Sequence, residues 1–184
     1  MLKTVPNLQT ERLILRQPIA GDWAAFRVFM QSDRAAFFSH QGNIGSIWRS
    51  FASELGHWDI FGYGMWAVTR RGDDTAIGLV GPWTPPDWPE TEIGWMIFDP
   101  ATEGTGIAAE AARAAIGHAF DTLGWTTAVS YIHPDNLRSI ALAEKLGALR
   151  DDGAPMPISY PDSAAWRHPA PQPASCATAS KDLP

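Results

Sequence analysis

The sequence predicts an α/β (α+β) fold, with a central mixed, mostly antiparallel twisted sheet of about seven strands and about four helices packed on it. Three observations carry this expectation. Short apolar and β-branched runs recur between turn residues. Two of them, Tyr63–Asp74 and Thr75–Trp83, meet at Arg71-Gly-Asp-Asp and read as an antiparallel hairpin. An alanine-rich helix then lies between the strands Thr91–Phe98 and Thr126–Ile132, which makes one β-α-β crossover and so one parallel pairing.

The elements follow in order β-α-α-β-β-β-α-β-α-β-β. Thr10–Arg16, TERLILR, alternates Leu13 and Leu15 against Ile14 and is the first strand. Asp22 is a candidate N-cap for a helix with Trp23, Phe26 and Met30 on one stripe. Ser46–Leu55 spaces Ile47, Phe51 and Leu55 four apart and is a second helix. After the hairpin, Thr84–Glu90 holds three prolines and is a loop. Ile107–Leu123 is helical and Gly124 stops it. Leu137–Leu146 is helical between Asn136 and Gly147, and ALRDD and SAAWRH are two last strands. Residues 1–169 are expected to form one domain. Residues 170–184, rich in Pro, Ala and Ser, are expected to be a disordered tail.

Composition removes several classes of partner. The chain has 184 residues, 45% of them hydrophobic, which suffices for one well-buried core. Its net charge of −6 argues against nucleic acid. Cys176 is the single cysteine, so no internal disulfide forms and a reducing cytoplasm is expected. The first residues lack the apolar run of a signal peptide, and no stretch reaches the ~20 apolar residues of a membrane span. The five histidines have no metal-ligand spacing, so His133 and His168 read as structural.

Glu103-Gly-Thr-Gly-Ile-Ala108 opens the alanine-rich helix. Literally, Gly104, Gly106 and Ala109 fit the dinucleotide pattern G-x-G-x-x-G/A. That reading fails on context: the turn follows several antiparallel strands, and the next strand ends in Tyr131-Ile-His133 with no acidic residue. The physics of an anion site persists, because a helix N-terminus has free N–H groups and glycines let them converge.

With its neighbours, the stretch is similar to the core of the GNAT N-acetyltransferase superfamily. DPATEGTGIAAEA, then a helix, a strand and HPDNLRSIALAEKLGA carry the resemblance. TERLILR, Glu92-Ile-Gly-Trp95, Asn136-x-x-Ser139, Glu144-Lys-Leu-Gly147 and Trp166-Arg-His-Pro169 resemble the branch that acetylates ribosomal-protein N-termini. The resemblance spans about residues 8–169. It implies acetyl-CoA as cosubstrate, with no metal, and a V-shaped splay between the fourth and fifth strands. It implies that Glu103, Gly104, Thr105, Gly106, Ile107 and Ala108 hold the pyrophosphate, with Glu103 standing where Gln or Arg is usual. It implies that backbone groups of Met96, Ile97 and Phe98 hold the pantetheine arm, with Met96 or Ile97 polarising the thioester carbonyl. Asn136 would bond that arm while also capping its helix, and Arg138 would meet the 3′-phosphate.

The resemblance implies direct attack by an amine. Glu92 is the candidate base, relaying a proton through water, or else a strand glutamate paired with an arginine; Glu90 is an alternative base. The family's usual tyrosine acid is replaced by Ala143, leaving Ser139, water or Tyr160 to protonate the thiolate. Six tryptophans, Trp48, Trp58, Trp66, Trp83, Trp88 and Trp95, fall on elements that wall the family's acceptor pocket. Trp83, Trp88 and Trp95 are the candidate substrate residues, with Asp59 and Asp87 adding charge for a cationic amine. The acceptor is a small-molecule amine or a protein N-terminus. The rival from another class is a non-catalytic acyl-CoA-binding sensor. A homodimer is common in this branch.

Overall fold

The computed structural model describes residues 6–38 and 43–170. Its eight strands are β1 (Leu8–Gln9), β2 (Leu13–Arg16), β3 (Trp66–Arg70), β4 (Asp73–Trp83), β5 (Glu92–Ile97), β6 (Val129–Ile132), β7 (Leu149–Asp151) and β8 (Ala164–Arg167). The helices are α1 (Trp23–Met30), α2 (Ile44–Phe61), α3 (Ile107–Asp121) and α4 (Leu137–Lys145). One mixed sheet runs β1-β2-β3-β4-β5-β6-β8-β7, and every pairing is antiparallel except β5 with β6. The expected fold class is therefore present. The extra strand arises because residues 10–12 turn the chain: the Thr10 amide donates to the Leu13 carbonyl at 3.1 Å and β1 folds back on β2. The expected tail from residue 171 onward, with Cys176, lies outside the described residues.

Side-chain alternation along the strands builds two apolar layers. Ala67, Leu79, Met96 and Phe98 join Phe26, Phe29, Met30, Ile47 and Phe51 of α1 and α2 on one face. Leu13, Leu15, Val68 and Val80 meet Ile107, Ala111, Ala112 and Ala115 of α3 on the other. The small residues of α3 let its backbone lie close on the sheet, and replacing them with larger ones would overpack that layer.

Helix ends show where local chemistry overrides spacing. α2 is longer than Ser46–Leu55 because Asn43 caps it, accepting from the Gly45 amide at 2.8 Å, and because no breaker intervenes before Gly62, at φ 77°. Asp22 precedes α1 but does not cap it with its side chain. Its carboxylate instead takes two hydrogen bonds from Arg16, at 2.8 and 2.9 Å, and one from the Ile19 amide.

The parallel pairing is short. β5 and β6 are in register only at Glu92 and Val129. One residue further on, the Ser130 hydroxyl bridges to the Ile93 carbonyl at 2.6 Å, and its oxygen lies 2.9 Å from His168 Nε2. Beyond this side-chain pin the strands separate, and the expected splay opens between them. His168 is buried and structural, as its sequence context suggests.

Candidate active site

A cleft of about 330 Å³ lies at the splay. β5 supplies Glu92, Gly94, Trp95 and Met96; β6 supplies Ser130 and Tyr131; α4 and its N-cap supply Ser139 and Asn136; α2 supplies Ser50 and Glu54. The loop after β4 adds Asp87 and Trp88, and Tyr160 closes one side. Glu92 and Ser139 approach this space from different sides. Glu92 shares its strand face with Met96, toward α2, whereas Trp95 points the other way and its indole N–H donates to Ser139 Oγ at 3.1 Å. That bond fills an acceptor site of the hydroxyl and leaves its own proton to be donated.

Glu92 is buried, so desolvation pushes its carboxyl up to about 7. Hydrogen bonds to the ionised form oppose the rise: the Trp88 indole N–H donates to Oε2, and the Tyr131 amide donates to Oε1 at 3.4 Å. No arginine pairs with Glu92 among the described residues. Arg167 is committed elsewhere, to Glu90 at 2.8 and 2.9 Å and to Asp151 at 2.7 Å, so Glu90 is held in an ion pair.

The tryptophans divide by environment. Trp83 lines the cleft and stacks on His57, whose Nδ1 lies 2.7 Å from the Tyr63 carbonyl and whose Nε2 accepts from the Thr84 amide at 3.1 Å. Trp88 lines the cleft, holds Glu92 and packs edge-on against Tyr160. Trp58 and Trp66 are core residues, each donating its indole N–H to a backbone carbonyl, and Trp48 is on the surface. These three do not wall the cleft, and neither does exposed Asp59; apolar spacing on a helix or strand marks burial without saying against what.

The turn before α3 is built as its glycines require. Gly104 and Gly106 have φ of 72° and 83°, where a side chain is strained. The Glu103 amide donates to Pro100 and the Thr105 amide to Thr102, so those two are used within the turn. The amides of Gly106, Ile107 and Ala108 open the helix, in the first turn whose amides have no partner within the helix. The Glu103 carboxylate is neutralised by two arginines, Arg34 from the loop after α1 and Arg138 of α4, the latter at 3.0 Å. It therefore does not stand as a bare negative charge beside an anion site. Arg34 also donates to the Ile97 carbonyl at 3.1 Å.

Backbone direction distinguishes the members of the expected pantetheine set. The Phe98 amide donates to Ile77 on β4 at 2.8 Å. Successive residues of a strand turn their polar groups to opposite edges, so Met96 also faces β4, while Trp95 and Ile97 face the splay. The Phe98 side chain lies in the α1 core. Asn136 caps α4, its side-chain oxygen accepting from the Ser139 amide at 3.2 Å, and it lines the cleft as well.

A family model for the acetyltransferase (GNAT) domain matches residues 12–149. The chain belongs to the GNAT acetyltransferase family. The solved acetyltransferase of Agrobacterium tumefaciens str. C58 is 37% identical, with a TM-score of 0.83 over 91% of this chain and 96% of that one. Two further solved structures share the fold at lower identity. A putative ribosomal-protein-serine acetyltransferase from Vibrio cholerae is 22% identical, with a TM-score of 0.72 over 90% and 98% of the two chains. A ribosomal-protein-S5-alanine acetyltransferase from Vibrio fischeri is 16% identical, with a TM-score of 0.65 over 90% and 97%. GNAT acetyltransferases use acetyl-CoA, and membership supports acetyl transfer as the activity of this chain. Among the described residues no group of side chains could hold a metal, and no helix is long and apolar enough to cross a membrane.

Sequence reasoning missed two residues here. Arg34 meets Glu103 across 69 positions, and no local pattern announces that pairing. Glu54 did leave a signal: it is a carboxylate in line with Ile47, Phe51 and Trp58 on the buried stripe of α2.

Proposed function

We propose that this GNAT protein is an N-acetyltransferase that acetylates a small primary amine by direct attack, with Glu92 as general base and Ser139 as general acid. The observation that supports this most is the placement of the two groups about the splay. One is a buried carboxyl raised to about 7 by burial, and the other a hydroxyl whose proton is left to give.

Acetyl-CoA supplies the activated acetyl group, and the residues present fit it. The Gly106, Ile107 and Ala108 amides suit the pyrophosphate, with Gly104 shaping the turn. Arg34 and Arg138 cancel the Glu103 charge and add positive potential there. The splay-facing edge of Trp95 and Ile97 suits the pantetheine arm, beside Asn136. The Ile97 N–H is the better placed of the two expected donors to the thioester oxygen, since the Met96 N–H faces β4. Glu92 takes a proton from the attacking ammonium through water. Ser139 gives its proton to the departing sulfur and is reprotonated from solvent. An acid and a base held apart in this way do not quench each other.

Cleft shape supports a small amine over a protein N-terminus. Trp83, Trp88 and Tyr160 wall it, and Ser159 donates to Asp87 at 2.9 Å, tying the closing segment to the proline-rich loop. The test is calorimetric titration with acetyl-CoA, followed by thiol release against a panel of small amines and N-terminal peptides. Binding with release from amines supports the reading. Binding with no release from any acceptor replaces it with a non-catalytic acyl-CoA sensor. No binding overturns it. Within the enzyme reading, Ser139→Ala is expected to lower kcat by ~10-fold to 100-fold with acetyl-CoA affinity unchanged. An unchanged kcat assigns the proton to water or to Tyr160.

A further inference from the structure

The mechanism uses one buried carboxyl, and the cleft contains two. Glu54, on α2, is 4% exposed, and its Oε2 has no hydrogen-bond partner among the described residues. No ion pair among them includes it. It lines the same cleft as Glu92, close enough for the two to repel, and burial with that repulsion raises its carboxyl to about 8. A carboxyl buried with no cation beside it among the described residues is costly unless a partner arrives. Trp83, Trp88, Tyr131 and Tyr160 line the same space, and aromatic faces attract cations while covering methylene groups.

An acceptor with one nitrogen leaves this carboxyl idle. That nitrogen must surrender its proton to Glu92 before it attacks, and it then has no charge for Glu54. A second cation on the acceptor would satisfy it. We propose, resting on the acetyltransferase reading, that Glu54 is a substrate-binding residue and that the acceptor is a compact amine with a second positive charge. Glu54 receives the distal ammonium while Glu92 serves the reacting nitrogen. The aromatic walls enclose the carbon chain between.

The experiment compares diaminobutane with butylamine in the thiol-release assay, for the wild type and for Glu54→Gln, which keeps shape and removes charge. The wild type is expected to favour the diamine in kcat/KM by at least ~10-fold, the scale of one buried charge-assisted hydrogen bond. Glu54→Gln is expected to abolish that preference by raising KM for the diamine, with kcat within about threefold and acetyl-CoA affinity unchanged, as for loss of uniform binding. Glu54→Asp, which keeps the charge on a shorter stem, is expected to retain part of the preference. A diamine preference that survives Glu54→Gln overturns the assignment, as does a wild type that favours butylamine. In those cases acetyl-CoA binding and thiol release stand, so only the Glu54 proposal fails. If acetyl-CoA does not bind, both readings fall together.

Discussion

Glu92→Gln is expected to lower kcat/KM by ~10²-fold to 10⁴-fold, the usual cost of losing a positioned general base, with acetyl-CoA affinity unchanged. The pH profile provides the sharper check. A base works deprotonated, and Glu92 is raised to about 7, so the wild-type rate should climb as pH rises through about 7. In the variant that limb should vanish, leaving the rise that belongs to the amine itself. If the two profiles coincide, Glu92 is not the base.

The same substitution has an opposite effect on stability. The folded-state value lies above the ordinary 4.5, so the native protein holds the Glu92 proton more tightly than the unfolded chain does. Its stabilising contribution is complete below about 4.5 and is lost as pH rises through about 7. Wild-type Tm should therefore fall across that window, and the variant's Tm should exceed it increasingly at higher pH. A variant that is slower and more heat-resistant at pH 8 is the signature of a carboxyl held against its preference for function.

Gly106→Trp is expected to weaken acetyl-CoA binding by at least ~100-fold, about 2.7 kcal/mol, in a calorimetric titration. Gly106 sits at φ 83° as the residue that caps α3, and a side chain there strains the turn and crowds the converging amides. Strain alone would also destabilise the fold, so a control is needed. Gly124 has φ of 69° with nothing within 4 Å of an added Cβ, and it lies at the far end of the same helix. Gly124→Ala should cost ~1 kcal/mol of stability and leave acetyl-CoA affinity intact. Equal losses of affinity in both variants would mean that the turn has no direct part in binding.

Much of this was legible in the sequence because it is local. Gly104 and Gly106, the alanines of α3, Asn136 and Ser139 each announce themselves by residue type and spacing within one turn of chain. The crossover and the hairpin likewise follow from neighbouring residues. What escaped is long-range. Arg34 finds Glu103 only after α1 packs on the sheet, and whether Met96 or Ile97 faces the splay depends on pairing with β4. Trp88 reads as a wall residue and is also the hydrogen-bond donor to Glu92, because loop residues carry no periodicity to fix their direction. Glu54 was legible in principle: a charge on an apolar stripe is the conflict between local chemistry and burial expected at a functional site.

The carboxyl on β5 and the indole that steadies it occupy positions with unequal freedom to vary. Glu92 is fixed in a strand paired on both sides at that position, whereas Trp88 belongs to a connecting loop. Removing the indole N–H would withdraw a stabiliser of the ionised form and move the carboxyl further up, and a stronger donor would move it down. In a changing lineage, acidity preference can thus drift through substitutions in the loop while the reacting geometry is inherited intact from the strand.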